Sequence, residues 1–348
     1  MPTDAPAVTA LRRIAFLLER AQEPTYRVRA FRKAADTISA LSAAELGERI
    51  AEGTLQQLAG IGEVTARTVA EAEAGETPVY LRRLESIEGT VVADAAAALR
   101  AALRGDCHAH SDWSDGGSPI REMAAAARDL GHDYMVLTDH SPRLTVARGL
   151  SPERLREQLT VVAEVNREMA PFRLLTGIEV DILDDGALDQ ELELLEALDV
   201  VVASVHSHLR MPETEMTARM VAAVSNPLVD ILGHCTGRLV TGRGRPESTF
   251  DPAAVFAACA AHGTAVEVNS RPERQDPPKR LLRLALEAGC LVSVDTDAHA
   301  PGQLDWQLLG CERAALCGVG ADVVVNARPV EDLLRWTRER VLPPLTAS

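Results

Sequence analysis

Short apolar runs alternate with longer amphipathic stretches over residues 101–342. The runs are rich in Val, Ile and Leu, and they are Tyr134–Thr138, Leu174–Val180, Val200–Val205, Val229–Gly233, Thr264–Asn269 and Leu291–Asp295. The Ala- and Leu-rich stretches between them include Ile120–Leu130, Pro152–Met169, Ala218–Val224, Pro252–His262 and Pro278–Ala288. This alternation predicts β/α units whose parallel strands are buried on both faces.

Side chains that bind metals recur at the ends of the apolar runs. The set comprises His108, His110, Asp115, His140, Glu179, His206, His234, Asp297 and His299. The His-x-His and Asp-x-His spacings at its two ends direct both side chains of each pair to the same side of an extended segment. Because the set is spread over the whole segment, it favours the rim of a closed parallel barrel over the single switch point of an open sheet.

The first hundred residues have helical periodicity instead. Residues 7–21 place Val8, Leu11, Ile14, Ala15 and Leu18 on one face, and a second helix after residues 23–25 turns Val28, Phe31 and Ala35 inward. Residues 55–67 then predict a short helix, a glycine turn and the start of another helix. Glycines at such a turn let backbone amides approach a phosphate without reading base sequence, so Gly60, Ile61, Gly62 and Thr65 are candidate DNA contacts. The alternative is a plain turn between two packed helices.

Composition is that of an ordinary globular protein of 348 residues, with 46% apolar and 25% charged residues. No run approaches the roughly 20 apolar residues of a membrane helix, and the N-terminus lacks a secretion signal, so we expect a cytoplasmic protein with no membrane partner. The net charge of −15 disfavours a protein that coats nucleic acid by bulk attraction. The six cysteines show no CxxC spacing, and we expect buried, reduced thiols.

The donor types restrict the metal and the chemistry. Imidazole and carboxylate without thiolate suit zinc, manganese or iron(II), and the set exceeds what one ion uses, so two or three divalent metals are expected. Clustered ions generate hydroxide near neutral pH and neutralise charge on phosphoryl oxygens, which makes phosphate-ester hydrolysis the leading chemistry. Other polar residues are interpreted as supporting or surface groups: His132, His208 and His262, and also Asp112, Asp139 and Asp181.

The strand-end motifs resemble the PHP (polymerase and histidinol phosphatase) family from residue 104 to about 340. They are Gly105-Asp106-Cys107-His108-Ala109-His110, Thr138-Asp139-His140, Gly177-Ile178-Glu179, Ser204-Val205-His206, Gly233-His234, Glu267-Val268-Asn269-Ser270 and Thr296-Asp297-Ala298-His299. The resemblance implies a distorted (β/α)7 TIM-like barrel that holds three metals. By position, the resemblance implies that His108, His110, Glu179 and Asp297 bind the first ion. It assigns the second ion to Glu179, His206 and His234, and the third to Asp115, His140 and His299.

The helical segment resembles the N-terminal helix-hairpin-helix domain of family X DNA polymerases. The helix that begins at Glu63 contains no lysine in its first turns, so we expect no Schiff-base lyase. About twenty residues separate Gly89 from His108, which leaves no room for a polymerase palm and excludes nucleotide addition. The predicted organisation is a helical domain over residues 1–95, a linker over 96–103 and a PHP domain over 104–342.

The sequence therefore predicts a metal-dependent phosphoesterase whose substrate is a phosphate ester, with DNA as a possible partner of the N-terminal domain. The favoured substrate is a DNA end, as for a 3′–5′ exonuclease or 3′-phosphatase, with Arg238, Arg271 and Arg274 as candidate phosphate contacts. One alternative is a small-molecule phosphatase of the histidinol-phosphatase type. Another is a DNA-binding protein whose metal site is structural.

Overall fold

The computed structural model describes residues 5–86 and 93–341, which fall into two compact units divided between Val91 and Val92. The predicted outer limits of the two domains, residues 1 and 342, lie outside the described residues. Among the described helices, none combines the length and apolar character of a membrane span.

The first unit is entirely helical in its described part. Its elements are α1 (Pro6–Arg20), α2 (Thr25–Ser39), α3 (Ala43–Ala51), a 3₁₀ turn (Leu55–Gln57), α4 (Glu63–Glu73) and α5 (Val79–Glu85). The apolar face predicted for α1 is buried, with Leu11, Ile14 and Leu18 at 0% exposure. The predicted helices and the glycine turn that precedes α4 are therefore confirmed.

The second unit begins with α6 (Asp94–Ala102), where the sequence predicted a linker over residues 96–103. Ala96, Leu99 and Leu103 are buried, and the two leucines pack in one apolar cluster with Cys311, which is distant along the chain. This segment belongs to the second unit rather than bridging the two, because the spacing of its apolar residues gives it a face to bury.

A seven-stranded parallel sheet forms the centre of the second unit. Its strands are β1 (Gly105–Ala109), β2 (Tyr134–Leu137), β3 (Arg173–Asp181), β4 (Val200–Ser204), β5 (Ile231–Leu232), β6 (Ala265–Asn269) and β7 (Val292–Asp295), in sequence order across the sheet. Past the end of β7, Ala298 forms a parallel bridge with Ala109, and the Asp297 amide donates to the His108 carbonyl. The sheet thus nearly closes into the distorted barrel that the sequence predicted.

Helices cover the outside of this barrel. They are α7 (Ile120–Asp129), α8 (Pro152–Met169), α9 (Leu192–Ala197), α10 (Glu213–Val224), α11 (Pro252–His262), α12 (Lys279–Glu287), α13 (Gln307–Ala315) and α14 (Val330–Val341). Of these, α7 to α12 connect its strands, and α13 and α14 follow the last strand. The observed α10 begins five residues before the predicted start at Ala218, since Pro212 precedes it and two glutamates occupy its first turn. All six cysteines are free, and five of them are buried.

Candidate metal centre

One buried carboxylate, Glu179 on β3, lies at the middle of the barrel rim. Five imidazoles surround it, and each has a ring nitrogen within 3.6 Å of a Glu179 carboxylate oxygen. They belong to His108 (3.3 Å), His110 (3.6 Å), His140 (2.9 Å), His206 (3.2 Å) and His234 (2.8 Å). We call Glu179 and these five residues the histidine cluster.

The histidine cluster is assembled by the carboxyl ends of successive strands. His108 lies on β1, and His140, His206 and His234 follow β2, β4 and β5 within a few residues. Since parallel strands in a barrel end at one face, side chains that are distant in sequence meet there. The register supports this, because Glu179 forms a parallel bridge with His140.

Two further carboxylates, those of Asp297 and Asp115, adjoin the histidine cluster. Asp297, which follows β7, has one carboxylate oxygen 3.5 Å from His110 Nε2, and Asp115 has one 3.5 Å from His140 Nε2 and 3.3 Å from His299 Nε2. Asp297 also has a φ of +54°, a left-handed conformation that costs energy in a residue other than glycine. All nine predicted ligands therefore lie in one contiguous site.

Three groups of these residues have donor atoms mutually within 4.8 Å, close enough to share an ion. They are His110, Asp115, His140 and His299; His108, His110 and Glu179; and His140, Glu179 and His206. His234 and Asp297 lie outside these groups, although each has an atom within 3.5 Å of a member. Asp297 is held instead by Arg274 at 2.9 Å and Arg271 at 3.2 Å.

The hydrogen bonding within the cluster fits metal ligands better than a packed polar core. Among the described residues, His108, His110, His140, His206 and His234 each have at least one buried ring nitrogen without a hydrogen-bond partner. Glu179 Oε2 is likewise buried without a hydrogen-bond partner. Unsatisfied buried polar atoms are costly, and so many in one place indicate a function. Imidazole nitrogens and carboxylate oxygens converging in this way can hold divalent cations such as zinc, manganese or iron.

The charges of the site are strongly coupled. Burial lowers the pKa of His206, but the adjacent Glu179 carboxylate raises that pKa to about 9. Burial opposes ionisation of Glu179, yet His206, His108 and His140 hold its pKa well below the ordinary value. Burial together with His299 and His140 holds the pKa of His110 well below its ordinary value. Glu179 therefore stays ionised as the negative centre of a ring of imidazoles.

Glu267 on β6 is a site residue that the sequence placed in a PHP-like motif but that was not among the predicted ligands. Its carboxylate accepts a hydrogen bond from His108 Nδ1 at 2.7 Å and another from the backbone amide of His234. It therefore orients two members of the histidine cluster, as carboxylates behind metal-binding histidines do. Its signal in the sequence was an acidic residue inside an apolar strand, two positions before the strand ends.

The three candidate phosphate contacts differ in position. Arg271 and Arg274 line a cleft of about 730 Å³ that opens onto Asp115, His140, His206, Asp297 and His299. Arg238 does not line the cleft, because its side chain donates to the backbone carbonyls of Arg274 and Gln275 and pairs with Glu247. Arg238 therefore connects two loops instead of lining the cleft, and we no longer consider it a candidate phosphate contact.

The remaining histidines lie outside the cluster. His208 is exposed and pairs with Asp184 at 2.8 Å, and His262 is exposed at the end of α11. His132 was expected on the surface but is buried, 3.0 Å from Arg100 Nη2. Burial and then the nearby Arg100 lower the pKa of His132 to about 3, so it remains neutral.

Two of the three supporting aspartates contact the neighbours of ligands. Asp139 accepts hydrogen bonds from the amide and hydroxyl of Ser111, at 2.8 Å and 2.6 Å, and Asp181 accepts from the His206 amide at 3.1 Å. Asp112 is exposed. The first two fix the loops that carry ligand side chains.

In the first unit, the four candidate DNA contacts divide into two kinds. Gly60 and Gly62 are exposed, and Gly60 has a φ of +86° that favours glycine. Ile61 is buried, and Thr65 is buried with its hydroxyl 2.9 Å from the Gly62 amide, which caps α4. Thr65 is therefore a capping residue rather than an exposed contact, and Ile61 anchors the turn in the core.

Comparison with known proteins agrees with this architecture. Residues 3–77 match the model of the helix-hairpin-helix domain, and residues 106–271 match the model of the PHP domain. A probable phosphatase of Syntrophotalea carbinolica is 31% identical over 204 residues, which cover 56% of this chain and 79% of that protein. The chain belongs to the PHP family. The sequence-based prediction of a metal-dependent phosphoesterase is thereby confirmed.

Two further likenesses concern proteins with named activities. The PHP-family chain is 40% identical to the DNA polymerase/3′-5′ exonuclease PolX of Bacillus subtilis over 231 residues, which cover 66% of this chain and 40% of that protein. The chain thus spans less than half of that relative. The crystal structure of histidinol phosphate phosphatase from Lactococcus lactis, complexed with zinc, L-histidinol and phosphate, aligns with a TM-score of 0.46 at 18% identity, over 62% of this chain and 92% of that one.

Proposed function

We propose that the barrel rim binds two or three divalent cations and that the chain uses them to hydrolyse phosphate esters at DNA 3′ ends. The observation that carries this proposal is the convergence of five imidazoles on Glu179, each with a buried ring nitrogen that has no hydrogen-bond partner among the described residues. A structural role alone does not require so many donors beside an open cleft.

The proposed ligand sets follow the family pattern. His108, His110, Glu179 and Asp297 would hold a first ion, Glu179, His206 and His234 a second, and Asp115, His140 and His299 a third. Glu179 is suited to bridge the first two ions, since its two oxygens face different imidazoles, Oε1 towards His206 and His234 and Oε2 towards His108. Zinc, manganese and iron(II) all suit these donors.

Divalent cations bound there lower the pKa of water towards neutrality and neutralise charge on phosphoryl oxygens. Arg271 and Arg274 are positioned to add positive charge beside the phosphoryl group, because both line the cleft while contacting Asp297. In hydrolysis a new bond forms between water oxygen and phosphorus, the bond to the leaving oxygen breaks, and that oxygen takes up a proton.

The DNA end as substrate is supported by the first unit. Its exposed glycine turn leads into the N-terminus of α4, a position at which helix amides can bind a phosphate, and it belongs to a matched helix-hairpin-helix domain. The likeness to a protein named as a 3′-5′ exonuclease supports the same substrate. As an exonuclease, the chain would release nucleoside 5′-monophosphates from a 3′ end.

A small-molecule phosphatase is the second candidate. The likeness to a probable phosphatase extends over 79% of that relative, and the open cleft of about 730 Å³ admits a small ester. This candidate needs the second unit alone, whereas cleavage of a DNA end would also use the first. The two candidates therefore differ in their dependence on residues 1–91.

The test compares substrates on metal-loaded protein. Full-length protein is stripped of metal, loaded with Mn²⁺ or Zn²⁺, and assayed on p-nitrophenyl phosphate, histidinol phosphate and a 3′-recessed DNA duplex. A variant lacking residues 1–91, cut at the unit boundary so that α6 is kept, is assayed in parallel. The proposal expects DNA cleavage that falls in the truncated variant while p-nitrophenyl phosphate hydrolysis persists.

The other results discriminate among the alternatives. Turnover of histidinol phosphate without cleavage of DNA favours the small-molecule phosphatase. Equal DNA cleavage by the full-length and truncated proteins removes the first unit from the proposal. A metal-loaded protein that turns over none of the three esters leaves a DNA-binding protein with a structural metal site.

A further inference from the structure

A tight basic hairpin over residues 239–245, in the segment that connects β5 to α11, borders the cleft. Leu239 and Arg245 exchange two backbone hydrogen bonds of 2.9 Å, and the Gly244 amide donates to the Thr241 carbonyl at 3.1 Å. Gly242 and Gly244 have φ values of +65° and +67°, which close the turn. We call residues 239–245 the arginine hairpin, after Arg243 and Arg245.

The arginine hairpin is fixed beside the candidate metal centre. Leu239, Thr241, Gly242 and Arg245 line the same cleft as Arg271 and Arg274. The Val240 amide donates to the Glu273 carbonyl at 2.7 Å, so the hairpin packs against the loop that carries those two arginines. The Arg238 contact with the Arg274 carbonyl, at 3.0 Å, fastens the base of the hairpin to the same loop.

The hairpin carries positive charge that no ion pair with a described residue neutralises. Arg243 is exposed and has no ion pair or hydrogen bond with any described residue through its side chain. Arg245 donates to the Gly237 carbonyl and forms no ion pair with a carboxylate among the described residues. Glu247, which is nearby in sequence, is engaged by Arg238 and Arg280. A protein with a net charge of −15 thus presents, on one hairpin, two guanidinium groups without a paired carboxylate among the described residues, and Arg245 lines the cleft.

The cleft lacks the large aromatic side chains on which bases commonly stack: its lining, as far as the described residues form it, contains no Phe, Tyr or Trp, and its imidazoles are the candidate metal ligands His140, His206 and His299. Guanidinium groups and turn amides instead match phosphate oxygens and read no base sequence. The chemistry of the hairpin therefore favours a phosphodiester as its ligand.

Resting on the proposed function, we propose that the arginine hairpin binds the phosphodiester on the 5′ side of the one being hydrolysed. The chain would then act on single-stranded 3′ ends of at least three nucleotides in preference to shorter esters. Because the contact is with phosphate, the preference is independent of base sequence.

The test measures how much a second phosphodiester improves hydrolysis. Metal-loaded full-length protein is assayed on d(TpT), which has one phosphodiester, and on d(TpTpT), which has two. We expect kcat/KM to be about 3- to 10-fold higher for d(TpTpT), the range of one or two charged contacts at a partly exposed site. R243A should reduce this ratio about threefold, and the charge reversal R243E should reduce it further.

Arg243 is the informative position because its side chain supports no described structure, so its replacement leaves the hairpin folded. The matched control is Arg167→Ala, which removes an exposed arginine from the last turn of α8. A second readout needs no turnover: binding of fluorescein-labelled dT10 by metal-free protein is followed as salt is raised. R243A should lower the slope of log affinity against log salt by about one, and R167A should leave it unchanged.

Three results would overturn the inference. Equal kcat/KM values for d(TpT) and d(TpTpT) in the wild type show that the second phosphate is not bound, while the proposed phosphoesterase function stands. A ratio that R243A and R243E leave unchanged removes the hairpin from substrate binding. A loaded wild type that hydrolyses neither oligonucleotide nor p-nitrophenyl phosphate defeats the proposed function, and this inference with it.

Discussion

At the scale of single residues, the site depends on one carboxylate that faces five imidazoles. Glu179 is 1% exposed, and its oxygens provide the only strong negative charge within 3.6 Å of all five rings among the described residues. The same charge raises the pKa of His206 to about 9 against the effect of burial, so cation binding must displace a proton from His206. Metal affinity should accordingly rise with pH up to about that value.

Replacing Glu179 by Gln should remove both metal and activity. The amide keeps the shape but loses the charge that two proposed ions share. We expect a loss of at least one equivalent of bound metal and more than about 100-fold in p-nitrophenyl phosphate hydrolysis, since a residue that only orients a ligand already costs about 10- to 100-fold. Metal content by mass spectrometry and initial rates check this. Glu164→Gln, on the exposed face of α8, is the control, and full metal content in E179Q would contradict the account.

Replacing Glu267 by Gln should weaken metal binding without abolishing it. The variant keeps an acceptor oxygen for His108 Nδ1 but loses the negative charge behind that ring. We expect the Mn²⁺ concentration for half-maximal activity to rise about 10- to 100-fold, with activity recovered at saturating metal. A metal titration of activity measures this. An unchanged midpoint would show that Glu267 only supports the fold.

At the scale of elements, strand ends account for most of what the sequence could predict. Apolar runs mark β2 to β7, and a ligand at or just after a run lies at the barrel rim because parallel strands share one end. The role of Glu267 depends on which imidazole ring faces it, and hydrophobic periodicity does not contain that information. The positions of the Arg238 side chain and of residues 96–103 could not be predicted in this way. Both depend on tertiary packing against segments that are distant along the chain.

The glycine turn ahead of α4 yields a matched pair of variants. Gly60 has a φ of +86°, and a Cβ there would lie 2.7 Å from the Lys33 side chain, whereas a Cβ at Gly62 would meet nothing within 4 Å. G60A should therefore destabilise the first unit by about 1 to 2 kcal/mol, and G62A should be close to neutral. Hydrogen exchange of α2 and α4 in the full chain measures both. Equal protection in the two variants would refute the left-handed turn.

At the scale of the whole molecule, the chain combines two compact units of different secondary structure. The proposed cations bind only the second, so mass action stabilises that unit alone. With metal at about 100 times its dissociation constant, we expect about 2.7 kcal/mol of added stability per site. Hydrogen exchange with and without Mn²⁺ should show that the metal increases protection in β1 to β7 and leaves protection in α1 to α5 unchanged. An equal increase in protection of the two units on adding Mn²⁺ would argue against a metal site at the barrel rim.

A metal titration of the metal-free wild type tests whether cations at the barrel rim drive hydrolysis. Bound Mn²⁺ or Zn²⁺ per chain and hydrolysis of p-nitrophenyl phosphate are measured on the same samples. We expect hydrolysis to be absent without metal and to appear as two or three equivalents bind. A metal-free protein that hydrolyses the ester as fast as the loaded one, or a protein that binds no divalent cation, would contradict it.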